Sequence, residues 1–314
     1  MRDAAVRVIV TMPDGEGTQV AGLLAAALPG ARVYDAGCAT AVPEADYVVT
    51  GHRDAKVFET QHALKAIFAL GAGVGHLLTL PNLPPRVPLI RLEDAGMAEQ
   101  MVRYVLAAAL RFAQRLDVYA RHQRERQWRQ LDPRSPATIK AGVLGMGVIG
   151  TQIAQALAAQ GFRVRGHART RKVVAGIECC AGGGELDAFL TGLDLLVAIV
   201  PLTPATTGML DRRALALCAD GAHVINIGRG ALVVDDDLLA LLDEGKLSGA
   251  TLDVFRDEPL PTDHPYWTCP GVAVTPHVAG VTLEPEAIAQ IAAKIDRIER
   301  GLPVTGVVDR TRGY

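Results

Sequence analysis

Three side chains in the last third of the sequence have complementary chemistry: Arg229 in NIGRG, Glu258 in LDVFRDEPL and His277 in TPHVAG. Each follows an apolar run that reads as a strand, so each stands where open α/β sheets present side chains to a ligand. Hydride delivered to a carbonyl carbon leaves a developing alkoxide that needs a proton. Histidine is the side chain best suited to give one near neutral pH. A carboxylate beside the ring favours imidazolium and fixes its orientation, a role Glu258 can fill. Arg229 offers a planar fork to the carboxyl and carbonyl oxygens of a 2-oxo acid and polarises the carbonyl. Any one of the three alone is more often a structural or surface residue. Together they suit 2-oxo acid reduction, provided that a dinucleotide fold positions them.

The elements that must do the positioning begin at Thr138 to Gly161, TIKAGVLGMGVIGTQIAQALAAQG. An apolar run with Val143 and Leu144 reads as a buried parallel strand. It turns through Gly145, Met146, Gly147, Val148, Ile149 and Gly150 into a segment with helical apolar spacing at Ile149, Ile153, Ala156 and Leu157. A pyrophosphate needs this layout, because it approaches bare backbone N–H groups at the positive end of a helix. Gly145 permits the tight turn, Gly147 the close approach, and Gly150 the packing of helix on strand. A glycine motif of this kind alone is a weak signal; the flanking strand and helix raise it.

In NAD-binding units an acidic residue about 20 positions past the first glycine accepts from the ribose 2′-hydroxyl. Here the second strand runs out through GHARTRK with no acid at its tip, and Arg169, Thr170 and Arg171 stand there instead. A carboxylate would repel a 2′-phosphate, whereas Arg169 and Arg171 can pair with it. NADP(H) is therefore the expected coenzyme, with NAD(H) possible.

Before the glycine turn, apolar runs at Val6–Thr11, Ala31–Tyr34, Tyr47–Thr50, Ala66–Leu70 and Leu89–Leu92 alternate with helix-like segments such as Gln19–Leu28. The alternation argues a parallel sheet with helices on both faces. Its fourth run leads into Gly71-Ala72-Gly73-Val74-Gly75, a glycine turn at a strand's carboxyl end whose N–H groups suit a carboxylate. A long amphipathic helix from about Gly96 to Leu116, capped by Asp94, carries the chain onward. Strands of the second unit read at Phe162–Gly166, Leu193–Val200, Ala222–Ile227, Gly249–Val254 and Val272–Thr275, with a helix at Asp235–Gly245 capped by Asp235 and closed by Gly245. A last amphipathic helix at Glu284–Arg300 follows after those strands are used up, so it is expected to return to the first unit. The expected architecture is α/β: two doubly wound parallel-sheet domains, a Rossmann dinucleotide domain (97–281) inserted into a flavodoxin-like substrate domain (1–96 with 282–314). Two crossing strands then act as a hinge for closure on substrate.

Composition narrows the rest. The chain has 314 residues, 49% apolar and 21% charged, with a formal net charge of −2, so no global field draws it to nucleic acid or membrane. The five cysteines are odd in number and lack CxxC spacing, which fits a reducing compartment, and no metal site is expected. No apolar run approaches the roughly 18 uncharged residues of a membrane span, and VRVIV reads as a first strand rather than a leader, so a cytoplasmic location is expected. The basic run RHQRERQWR reads as a solvated helix end, with Trp128 packed on a partner or on the core.

Taken in order, GMGVIG, PLTPATTGML, NIGRGALV, GATLDVFRDEPLP and TPHVAG resemble the D-2-hydroxyacid dehydrogenase family across nearly the whole chain. RLEDAGMAEQM and VTGVVDRTRGY are similar to its bacterial glyoxylate/hydroxypyruvate reductase branch. The resemblance implies that Arg229 binds substrate, that Glu258 orients His277, and that His277 is the acid/base. It implies that Ala72, Gly73 and Val74 hold the substrate carboxylate, with Arg229 and His277 also on the substrate. It further implies that Asp253 meets the nicotinamide carboxamide, and that Pro201, Leu202, Thr203, Thr207, Ile227, Gly228 and Ala279 line the coenzyme. A homodimer joined through the nucleotide domains is also implied. Two positions depart from the family pattern. Gly75-His76 follows Val74 where GAGVD is usual, and Gly51-His52-Arg53-Asp54 replaces a Trp-His-Pro-Pro segment. Loss of an indole at Gly51 enlarges that wall and Arg53 adds a cation. The alternatives are an NAD-dependent dehydrogenase of another hydroxy acid, and a dinucleotide-sensing regulator that binds without turnover.

Overall fold

The computed structural model describes residues 5–12, 16–38, 43–51, 56–71 and 73–313. The chain divides into two compact units, Met1–Gly96 with Thr282–Tyr314, and Met97–Val281.

The first unit runs β1 (Arg7–Thr11), α1 (Gly17–Ala27), β2 (Arg32–Asp35), β3 (Tyr47–Thr50), α2 (Val57–Thr60), β4 (Ala66–Ala69), α3 (Gly75–Leu78) and β5 (Leu89–Ile90). Among the described residues its sheet has the order β2-β1-β3-β4-β5 with every pairing parallel. That is the flavodoxin-like order, and the direction of winding reverses between β1 and β3. Val8, Ile9, Val10, Val48, Val49 and Ile67 are fully buried. Strands covered on both faces must be apolar at every position, which is why these read as continuous apolar runs instead of alternating ones.

The second unit opens with α4 (Met97–Ala113) and α5 (Leu116–Arg124) and continues β6 (Lys140–Leu144), α6 (Val148–Ala159), β7 (Arg163–Ala168), β8 (Glu178–Ala181), α7 (Leu186–Leu190), β9 (Leu195–Ala198), α8 (Arg212–Ala216), β10 (Ala222–Asn226), α9 (Asp235–Asp243), β11 (Leu247–Leu252) and β12 (Val272–Val274). Its sheet order is β12-β11-β10-β9-β6-β7-β8, again all parallel. This is the Rossmann order with one strand added, reversing between β6 and β9. The last helix, α10 (Glu284–Glu299), packs Ala287, Ile288, Ile291 and Ile295 onto β1, β3 and β4 of the first unit.

Several local expectations change. The long helix breaks at Arg115, whose φ of 53° is left-handed, and α5 follows as a separate element. Asp94, Ala95 and Gly96 all have positive φ where the chain enters α4 at Met97. Asp235 does not cap α9; its Oδ1 accepts the Tyr266 hydroxyl at 2.9 Å, while Gly245 closes the helix as expected with φ 72°. Trp128 is fully exposed, so the chain's own core does not receive it. Among the described residues no helix is long and apolar enough to cross a membrane.

Candidate active site

Arg229, Glu258 and His277 follow β10, β11 and β12, at the carboxyl edge of one sheet. His277 Nδ1 lies 2.7 Å from Glu258 Oε2. The other carboxylate oxygen, Oε1, accepts from the Phe255 amide at 2.9 Å, so the carboxylate is held at both ends. With Nδ1 committed to Glu258, Nε2 is the nitrogen left for a substrate oxygen. The Arg229 segment is locked to the Glu258 segment by Gly230, where an added Cβ would stand 1.9 Å from the Phe255 carbonyl carbon. Arg229 is partly buried, and Nη1 donates to the Gly228 carbonyl at 2.6 Å. Burial pulls its pKa below the ordinary arginine value, and the Glu258 charge opposes that shift.

Beneath these three lies a layer of buried hydrogen bonds that fixes their loops. Asp253 is 1% exposed, and its carboxylate accepts from Thr275 Oγ1 (2.7 Å) and from the amides of Val278 (2.8 Å) and Ala279 (2.9 Å). Its carbonyl accepts the His277 amide at 2.8 Å. The resemblance places Asp253 on the nicotinamide carboxamide; in the structure its bonds go to the loop that carries His277. Ala279, also assigned to the coenzyme, is buried with its amide spent on Asp253. Because Thr275 donates to Asp253, Tyr104 must donate to Thr275, at 2.6 Å. Burial pushes the Tyr104 hydroxyl pKa up, which keeps that donor protonated. Asn226 plays the same part for Arg229: buried, it accepts from the Gly228 amide (3.1 Å) and donates to the Arg229 carbonyl (3.0 Å). Asn226 and Thr275 open the NIGRG and TPHVAG runs without their residue types announcing these roles, and Tyr104 lies in no motif at all. His277 itself has φ 55°, a conformation uncommon outside glycine.

The glycine turn after β6 has the geometry a pyrophosphate requires. Gly145 has φ 119°, and a Cβ there would lie 2.8 Å from the Ile199 carbonyl oxygen. A Cβ on Gly150 would lie 1.8 Å from the Gly145 oxygen, so helix and turn touch through it. At Gly147 a Cβ would meet nothing within 4 Å: the space beside it at the amino end of α6 is open. The first amides of α6, at Val148, Ile149 and Gly150, face that open end without intrahelical partners. Met146 is buried beneath β7, against Gly166, so its backbone alone can serve the coenzyme. Beyond β9, the segment from Pro201 through Leu202 and Thr203 to Thr207 is tied to itself. Thr206 Oγ1 donates to the Pro201 carbonyl at 2.8 Å and accepts the Thr203 amide at 2.8 Å, and Thr207 Oγ1 donates to the Thr203 carbonyl at 2.9 Å. Ile227 and Gly228 are buried at the end of β10.

At the tip of β7 the two arginines separate. Arg169 and Thr170 directly follow the strand, whereas Arg171 folds back over β8, where it donates to the Cys179 carbonyl at 3.0 Å and pairs with Glu185. In the first unit Ala72 lies outside the described residues, as do His52, Arg53 and Asp54. Gly73 and Val74 lead from β4 into α3, and Val74 is 3% exposed, so only its backbone can meet a ligand. The wall expected to open at Gly51 is partly refilled: the Sδ and Cε of Met12 stand 3.0 Å from where a Cβ would be.

A Rossmann unit with an arginine and a glutamate–histidine pair at its carboxyl edge defines an NAD(P)-dependent oxidoreductase. The chain belongs to the D-isomer specific 2-hydroxyacid dehydrogenase family, whose NAD-binding domain matches residues 106–279. It is 44% identical to a glyoxylate/hydroxypyruvate reductase A of Escherichia fergusonii over 92% of this chain and 93% of that one. A reductase of the same description from Serratia proteamaculans is 45% identical over 86% and 88% of the two chains. Among solved structures, a D-isomer specific 2-hydroxyacid dehydrogenase of Xanthobacter autotrophicus in complex with NADPH and MES superposes with a TM-score of 0.93 at 38% identity, covering 99% of this chain and all of that one. The NADPH-dependent glyoxylate/hydroxypyruvate reductase of Sinorhizobium meliloti, in complex with NADP and sulfate, gives 0.91 at 37% identity over 98% and 100%.

Proposed function

We propose that this protein is an NADPH-preferring reductase of glyoxylate, hydroxypyruvate or a related small 2-oxo acid, giving a D-2-hydroxy acid. The observation that carries the reading is the His277–Glu258 pair at 2.7 Å on a loop pinned by buried Asp253. The bare Gly147 backbone and the α6 amides hold the pyrophosphate, and Arg169 with Thr170 meets the adenosine phosphate. When bound, NADPH supplies hydride to the 2-oxo carbon. Arg229 holds the carboxyl and carbonyl oxygens and draws charge onto the carbonyl oxygen. His277 gives its Nε2 proton to that oxygen as it becomes an alkoxide, and Glu258 stabilises the ring that delivers it. Backbone amides at Ala72, Gly73 and Val74 hold the substrate carboxylate. Asp253, Thr275 and Tyr104 act through the loop and are positioning residues.

The protein works in the cytoplasm as a homodimer joined through its dinucleotide unit; the fully exposed indole of Trp128 supports that surface. Steady-state oxidation of NADPH with glyoxylate and with hydroxypyruvate tests the activity. His277→Ala is expected to lower kcat by about 10²- to 10⁴-fold, the typical worth of a general acid, with NADPH affinity retained in a fluorescence titration. Turnover that survives the substitution, or a wild type that binds NADPH and reduces neither acid, would overturn the assignment.

A further inference from the structure

Arg171 is one of three cations just beyond β7, yet its guanidinium is already engaged by groups on and just after β8. Val174 and Ile177 form an antiparallel bridge that closes the turn between β7 and β8, laying Arg171 over the edge strand. There Nη1 donates to the Cys179 carbonyl at 3.0 Å and Nη2 pairs with Glu185 Oε1. Glu185 is itself anchored, because its Oε2 accepts the Ala181 amide at 2.7 Å. That amide, together with Arg171, holds the Glu185 carboxyl below its ordinary pKa, so it is ionised at neutral pH. Both partners remain open to solvent, with side chains 61% and 40% exposed, so the pair can exchange with a competing anion.

A 2′-phosphate and a carboxylate are rivals for the same planar fork. We propose that Glu185 is a coenzyme-specificity residue: it keeps Arg171 in reserve at the adenosine end and tempers the preference for NADPH over NADH, which Arg169 supports. The inference rests on the NADPH reading above. NADH carries no 2′-phosphate and gains nothing from a released guanidinium.

Glu185→Gln is the discriminating variant, since its amide oxygen still accepts from Ala181 while the charge is gone. With glyoxylate saturating and coenzyme varied, KM for NADPH is expected to fall about three- to fivefold, the range of an exposed ion pair, with kcat and the NADH parameters unchanged. The gain should vanish when Arg171→Ala is added, and shrink in about 1 M salt, where screening acts within roughly 3 Å. A KM for NADPH that stays constant or rises, a parallel change with NADH, or a gain that persists without Arg171 would each overturn the proposal. Arg169→Asp separates the two levels. If it abolishes NADPH preference while Glu185→Gln does nothing, the role of Glu185 falls and the coenzyme reading stands. If it leaves the preference intact, the tip does not read the phosphate and both fall.

Discussion

The two parallel sheets both end in a glycine-rich turn, and the turns are built for opposite reasons. After β6, Gly145 and Gly150 are demanded by the protein's own packing, since side chains there would strike the Ile199 and Gly145 carbonyl oxygens. After β4, a Cβ at Gly71 or at Gly75 would meet nothing within 4 Å. The first pair of glycines makes the turn possible; the second pair leaves room that the described residues do not use. A glycine required by packing and a glycine required by a ligand look alike in sequence, and the space around them tells them apart.

The sharpest break of that contrast is Gly150→Ala against Gly71→Ala. Gly150→Ala forces a carbon into backbone and is expected to cost more than about 4 kcal/mol, with loss of NADPH binding in titration. Gly71→Ala should leave the unfolding free energy within about 0.5 kcal/mol of wild type while raising KM for the 2-oxo acid. Equal melting behaviour of the two would dissolve the distinction.

A second contrast lies in the cores. The dinucleotide unit buries His223, whose Nε2 bonds Thr251 Oγ1 at 3.0 Å and whose pKa burial lowers to about 4. The first unit buries Lys294 beside Glu93, a pair that carries its own counter-charge. A folded-state pKa below the unfolded one means that the unfolded chain takes the proton first. Stability from neutral His223 is therefore complete above about pH 6.5 and is lost on the order of 3 kcal/mol as pH falls toward 4. His223→Gln keeps a hydrogen-bonding group and cannot titrate, so its melting temperature should fall less steeply than wild type across that window. Superimposable pH curves would remove His223 from the account.

The smallest effect is expected at Gly51→Ala, where the atoms in the way are the flexible end of Met12. The unfolding free energy should change by less than about 1 kcal/mol, since Met adapts cheaply. The ratio of kcat/KM for a bulkier 2-oxo acid to that for glyoxylate should fall if this wall faces substrate, and stay fixed if it does not.

The fold was largely legible because strands buried on both faces announce themselves as apolar runs. Tyr47–Thr50 needed no correction, and the other anticipated strands moved by a few residues at their ends. β8 gave no such signal: Glu178–Ala181 is a four-residue edge strand with a vicinal cysteine pair. The break at Arg115 was also invisible, since arginine is a good helix former and only tertiary context sets its φ. In the site, residue types announced Arg229, Glu258 and His277, but their supports did not. Tyr104 reaches Thr275 across 171 positions, and Arg171 spends its charge on Glu185. A side chain's chemistry is local information; its partner is not.

The backbone at His277 has a consequence for how this protein could change. At φ 55° the position favours glycine or asparagine, so the proposed acid occupies a site that conformational preference alone would give to another residue. Variation screened only for thermal robustness would drift toward glycine there and yield a sturdier, silent protein. In the proposed reaction, histidine at this point serves turnover against the conformational preference of the chain that carries it.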